Sequence, residues 1–295
     1  MLAKIKLTPK QLLKPLLQIV VTAIALYVVF QKIDIAQLTT LIRTAHPLYL
    51  LCALLFFNLS KVINAFRLNR MFKAIGIELS TTYSLKLYYL GMFYNLFLPG
   101  GVGGDGYKVY ILQKNYGIRM LNVFHAVLWD RIGGIFALTV LALALLLPSN
   151  FATLYPMLIP WAWGGLLLLY PIAWLVNKLF YKQFLHLFAV TSFDSMLVQV
   201  TQTIAAWFIL EAMNLPAHHI DYLAIFLLSS VATILPITVG GAGAREITFL
   251  YLLNVVELNT NPGVALSLIF FVISAISSLA GILSRIKHEK ADVVQ

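Results

Sequence analysis

Six charged residues lie in stretches otherwise apolar enough for a bilayer: Asp105, Lys108, Asp130, Arg131, Arg245 and Glu246. A charge at bilayer depth costs about 2.5–3.5 kcal/mol on insertion scales, so such groups are usually paired and mark functional positions. Three acids and three bases can close on one another as ion pairs, or leave a cation for an anionic ligand. Asp130 and Arg131 are neighbours and project about 100° apart on a helix, so each needs a partner on another element. Gly133 and Gly134 follow at the third and fourth positions after Asp130 and allow a second backbone to approach.

Two of these bases close related strings. Leu98-Pro99-Gly100-Gly101-Val102-Gly103-Gly104-Asp105-Gly106-Tyr107-Lys108 and Leu235-Pro236-Ile237-Thr238-Val239-Gly240-Gly241-Ala242-Gly243-Ala244-Arg245 both read L-P-x-x-V-G-G-x-G-x-[K/R]. Proline ends a helix by removing a donor, and glycines allow positive φ and close approach. Successive free N–H groups at the start of a following helix form a nest for an anion, and a phosphate suits it. The competing explanation is packing: the glycines only let two short helices cross tightly. The segment Gly101-x-Gly103-x-x-Gly106 also fits a dinucleotide fingerprint, but no β-strand precedes it.

The elements that carry these residues follow from composition. Of 295 residues, 61% are hydrophobic and 11% charged, against roughly 45–50% and 25% in soluble domains. Such a chain must face lipid, which excludes a soluble enzyme, a disordered chain and a disulfide scaffold. Cys52 is the only cysteine, so neither a disulfide nor a cysteine-based metal site is expected. The adjacent pair His218-His219 does not have zinc-ligand spacing. No metal, cofactor or catalytic residue is expected.

A spanning helix needs about 20 mostly apolar residues. Six stretches qualify: Leu12–Phe30, Leu48–Phe66, Leu121–Leu147, Leu158–Val176, Ser195–Met213 and Gly263–Ser284. Tyr83–Leu98 and Tyr222–Leu235 are too short to cross, and each runs into one of the glycine strings. They are expected to be re-entrant hairpins, over residues 83–119 and 222–256. Three full spans separate the two strings, so the hairpins enter from opposite faces. The fold class expected is therefore all-α: one polytopic transmembrane bundle over residues 1–295, with about six spans and two re-entrant hairpins in an inverted repeat.

Net charge is +10. Placing the N-terminus, Lys61 to Lys86, Lys108 to Arg119, Lys178 with Lys182, and the tail on one side gathers 17 of the 21 Lys and Arg there. The positive-inside rule makes that side cytoplasmic, with both termini on it. The charge then reflects topology, and nucleic acid is not expected as a partner.

Three motifs together resemble one family. Asn95-Leu96-Phe97-Leu98-Pro99 with its glycine string, Asp130-Arg131-Ile132-Gly133-Gly134, and Pro236-x3-Gly240-Gly241-Ala242-Gly243-Ala244-Arg245-Glu246 look like the lysylphosphatidylglycerol synthase transmembrane region, or flippase-like, family. The resemblance implies a lipid-handling protein of the inner membrane. Fused members carry a soluble aminoacyl-transferase that makes the lipid which the membrane region moves. Only about 11 residues follow the last span here, so lipid lysylation is not expected of this chain.

The function expected is transbilayer movement of a phospholipid or another amphipathic lipid with a phosphate-bearing head. Pro99, Gly100, Gly101, Gly103, Gly104, Asp105 and Gly106 would form the site with Pro236, Gly240, Gly241 and Gly243. Lys108 and Arg245, 137 positions apart, would contact the head group. Asp105, Asp130, Arg131 and Glu246 would form a switching network. Two other readings stay open: a membrane-embedded enzyme on lipid-linked substrates, with Asp105 or Asp130 as base, and a scaffold for a separately encoded lipid-modifying transferase. Membrane lipids, that transferase and a second copy of the chain are the partners considered.

Overall fold

The computed structural model describes residues 20, 27, 35–97, 103–233 and 243–283. The expected first span, Leu12–Phe30, lies almost wholly outside these, as do both loop tips, with Pro99, Gly100, Gly101, Pro236, Gly240 and Gly241.

The described chain is helical throughout: α1 (Ile35–Arg43), α2 (Pro47–Ala74), α3 (Thr81–Phe97), α4 (Gly103–Tyr116), α5 (Met120–Leu146), α6 (Asn150–Leu154), α7 (Leu158–Phe180), α8 (Phe188–Ala212), α9 (His219–Ala232), α10 (Ala244–Val255) and α11 (Thr260–Leu283). A 3₁₀ turn, Lys182–Leu187, leads into α8. Five stretches are long and apolar enough to cross a bilayer: Pro47–Ala74, Met120–Leu146, Leu158–Phe180, Lys182–Ala212 and Thr260–Gly281. The chain is a multi-pass membrane protein. Trp161, Trp163, Leu167, Leu168 and Leu179 on α7 are all exposed. In lipid this is the lower-energy arrangement, because no hydrophobic force pulls α7 inward.

Two spans run past their sequence-based boundaries: the stretch expected from Ser195 begins at Lys182, and the one expected over Leu48–Phe66 continues in α2 through Arg67, Arg70 and Lys73 to Ala74. No Gly or Pro interrupts the run between Pro47 and Gly76, and Gly76 at φ +81° supplies the stop. Arg67 is therefore a residue of the spanning helix, as Lys61 is, and not of a flanking loop.

Helix ends gather at two poles. At one, His46 N donates to Ala212 O at 2.8 Å, Asn150 N to Asp221 Oδ1 at 2.6 Å, and Tyr222 Oη to Asn259 O at 2.8 Å. The start of α9 thus lies beside the end of α10. At the other pole Asn115 Nδ2 donates to Tyr83 Oη at 3.3 Å, bringing the end of α4 beside the start of α3. Each short pair therefore has both outer ends at one pole, and the two pairs use opposite poles. α5 runs between the poles, from Met120 to Leu146.

Contacts among helices show a regular scheme. α2 packs most extensively along α8. α3 packs on α11 and α9 on α5; α3 pairs with α4 and α9 with α10; α2 also touches α5, and α8 touches α11.

Candidate functional site

The site is built where α3 and α4 cross. Gly91 and Gly104 meet backbone to backbone: a Cβ on Gly104 would collide with the Gly91 carbonyl, and a Cβ on Gly91 with the Lys108 side chain. Asn95 Oδ1 accepts from Gly104 N at 2.8 Å and ties the two helices across their loop. This close crossing places the first turn of α4, and so Asp105 and Lys108, against α5.

Asp105 is the hub. Its Oδ1 takes Lys108 Nζ at 3.0 Å, and its Oδ2 takes Arg131 Nε. Lys108 is buried, with its ammonium 4.7 Å from the Tyr88 ring centroid. The head-group role expected for Lys108 has to be read against this: its charge is met by a carboxylate one turn away. Arg131 finds the partner that its position beside Asp130 required, on α4.

Asp130 finds its partner on α2. Arg67 Nε donates to Asp130 Oδ1 at 2.8 Å, Nη2 to Asp130 O at 3.0 Å, and Nη1 to Ser195 Oγ at 2.6 Å. Both charges are nearly sealed, Arg67 at 2% and Asp130 at 8% exposure. A Cβ on Gly134 would sit 3.8 Å from Arg67 Nη2, an ordinary contact, so the guanidinium does not require glycine there. Sequence reasoning missed Arg67 and Ser195. Arg67 had been counted with loop charges; the unbroken helical run to Ala74 was the signal that could have found it. Arg70 adds a cross-link from α2 to Asp194 on α8 at 3.2 Å.

The second string behaves differently. Glu246, 2% exposed, accepts from Gly243 N at 2.6 Å and from Ser267 Oγ at 2.8 Å. Gly243 holds φ +85°, a conformation natural to glycine. Among the described tip residues, the Gly104 and Gly243 amides are thus already occupied by Asn95 and Glu246. Gly103 opens α4, and Gly106 has nothing within 4 Å of where a Cβ would be.

Arg245 meets no carboxylate within 4 Å among the described residues. Its guanidinium lies 5.3 Å from the Phe226 ring and 5.1 Å from the Phe270 ring, and Nη2 is 3.4 Å from Ser230 Oγ. Asp105, Lys108, Asp130 and Arg131 are thus brought together by α4, α5 and α2, while Arg245 and Glu246 form a separate cluster with α9 and α11.

A largely apolar cavity of about 320 Å3 opens between α5, α7 and α8, with Trp129, Phe136, Leu166, Tyr170, Phe193 and Ser195 in its wall. Through Ser195 it touches the Arg67–Asp130 pair. Among the described residues, no three His, Cys, Asp or Glu gather as a metal site.

The sequence model for the lysylphosphatidylglycerol synthase TM region matches residues 16–281. No curated protein matches the chain.

Proposed function

The chain belongs to the lysylphosphatidylglycerol synthase TM region family, and from that premise we propose that it moves an amphipathic lipid with a phosphate-bearing head between leaflets. The family links the protein to lipid metabolism; the direction taken here, toward transport, comes from the bundle. One observation carries it: each short helix pair has its outer ends at one pole, and the two pairs use opposite poles.

On this reading α3–α4 and α9–α10 are re-entrant hairpins that enter from opposite faces. The units α2–α5 and α8–α11 form an inverted repeat. Helix lengths support it, at 28, 17, 14 and 27 residues in the first unit and 25, 14, 12 and 24 in the second. So does the contact scheme, in which α3 on α11 mirrors α9 on α5, and α2 on α8 is its own mirror. Inverted repeats place a site near the midplane and expose it alternately to either face. The tips bring charged and glycine-rich chain to that depth, and the cavity beside Ser195 offers an acyl chain a path next to the polar network.

With Lys114, Arg119, Lys178 and Lys182 at the α3–α4 pole, the positive-inside rule makes that pole cytoplasmic and the membrane a cytoplasmic one. The test is reconstitution of the purified protein into vesicles carrying labelled phosphatidylglycerol or phosphatidylcholine in one leaflet. Faster exchange than in protein-free vesicles, without change in lipid chemistry, is the expected result. No faster exchange, or conversion of the lipid, removes the proposal and turns attention to an enzyme or a scaffold.

A further inference from the structure

Two cations deep in the bundle meet no carboxylate within 4 Å among the described residues. Lys61 is the fifteenth residue of the 28-residue α2, about 21 Å along a helix of roughly 42 Å. Its ammonium lies 4.3 Å from the Phe57 ring centroid, and no acidic oxygen lies within 4 Å among the described residues. Arg245 opens α10 in the same condition, and its Nε is buried without a hydrogen-bond partner among the described residues. The rings join the two. Phe57 and Phe270 lie 5.3 Å apart, Phe270 and Phe226 4.7 Å, and Arg245 faces the latter pair. Four helices, α2, α9, α10 and α11, thus converge on two like charges against an aromatic wall.

Magnitudes decide whether the rings suffice. Holding a charge at bilayer depth costs more than a cation–π contact returns, and the repulsion between two like charges adds to the cost. A deficit remains that an anion would remove. By contrast Lys108, Arg67 and Arg131 each have a carboxylate. Glu246 is next in the chain, but both its oxygens already accept hydrogen bonds, as an ionised carboxylate does. Counting Lys61, Arg245 and Glu246 leaves one net positive charge.

We propose that Lys61 and Arg245, walled by Phe57, Phe226 and Phe270 and flanked by Ser230, form a binding site for one monoanionic phosphodiester. The phosphate oxygens take the ammonium and the free guanidinium N–H groups, while Ser230 Oγ, whose proton goes to Phe226 O at 2.8 Å, accepts from Arg245 Nη2 and orients it, and the rings shield the pair from water. The inference rests on the lipid-transport reading and moves its head-group contact from Lys108 to Lys61.

The experiment uses the full chain in detergent with dihexanoyl phosphatidylglycerol, dihexanoyl phosphatidylcholine and inorganic phosphate as probes. The phosphatidylglycerol probe should bind more tightly than either of the others. Lys61→Gln and Arg245→Gln should each weaken it roughly tenfold or more, Lys61→Arg should hold it within a few-fold, and phosphatidylcholine should change little. Inorganic phosphate binding as tightly as phosphatidylglycerol would assign the site to a free anion and overturn the lipid assignment. Equal loss for both lipids, or loss for neither, overturns it as well. A fold control is independent of binding: ligand-free Lys61→Met should melt at or above the wild type, because it deletes an uncompensated charge. Melting clearly below the wild type would mean that Lys61 is structurally satisfied, and the proposal falls. The two readings fail separately. Binding without lipid movement in vesicles removes the transport reading alone, while movement and head-group preference unaltered in both Gln variants remove the site alone.

Discussion

Arg67 holds Asp130 at two points, its Nε on the carboxylate at 2.8 Å and its Nη2 on the backbone carbonyl at 3.0 Å. The grip joins α2 to α5 in a nearly sealed interior, where a lone charge is far more costly than a missing pair. Arg67→Ala should destabilise the protein by about 3–5 kcal/mol, read as a lowered melting temperature in detergent. The double variant with Asp130→Ala should recover part of the loss. A double variant that melts below both singles would show that the two residues do not act as a pair.

Two glycines of one string should respond in opposite directions. Gly104 meets the Gly91 backbone, which cannot yield as a side chain would, so Gly104→Ala should cost about 1–3 kcal/mol or more. Gly106 lies in the same helix with open space around it and no positive φ. Gly106→Ala should stabilise by roughly 0.5–1 kcal/mol through helix propensity. Equal loss for both would place the constraint in the loop rather than at the crossing.

Ser267 is the only side chain seen to donate to Glu246 among the described residues. Ser267→Ala should leave a buried carboxylate oxygen short of a partner and cost about 1–3 kcal/mol. Glu246→Gln in that background should return part of the loss, since a neutral amide tolerates the dry site better. Thermal unfolding of the three variants reports this directly.

Topology has its own test. Single cysteines in a Cys52→Ser background should label from outside near Ser149, Pro216 and Asn261, and only from inside near Lys114 and Lys182. External labelling near Lys114 would remove the first re-entrant hairpin and the inverted repeat with it.

Much of this was readable in the sequence, and the part that was not has a physical reason. Asp130 and Arg131, adjacent on a helix, had to have separate partners, and Arg131 does meet Asp105. The length deficit of the α3 and α9 segments marked them as different from the spans. Arg67 is hidden because a base just past the end of an apolar run has the same signature as a loop charge, and Lys61, though inside the expected span, because it groups with the bases that follow it. Only the missing breaker before Gly76 separates the two cases. Ser195 and Ser267 were invisible for another reason: a hydroxyl carries no hydropathy signal, and its importance comes entirely from what faces it. The short helices α1 and α6 fell in connections too brief for any periodicity to register.

The two four-helix units proposed as an inverted repeat, α2–α5 and α8–α11, have the same order of long and short helices but differ in chemistry. Among the described residues, the first is cross-linked by Arg67–Asp130 and Arg131–Asp105, and Lys108 leans on the same acid. The second is held by Glu246 with Ser267 and by Arg245 with Ser230, and no Lys or Arg within it reaches a carboxylate. Deleting one partner of a buried ion pair costs about 3–5 kcal/mol, while a hydrogen bond to a charged group is worth about 1.5–3. On the proposed transport reading, the first unit would be the stiff jaw and the second the pliant one. A bundle rocking between two openings would not divide its time evenly: it would rest with the stiff jaw shut, and whatever neutralises Lys61 and Arg245 would decide when the pliant one tightens.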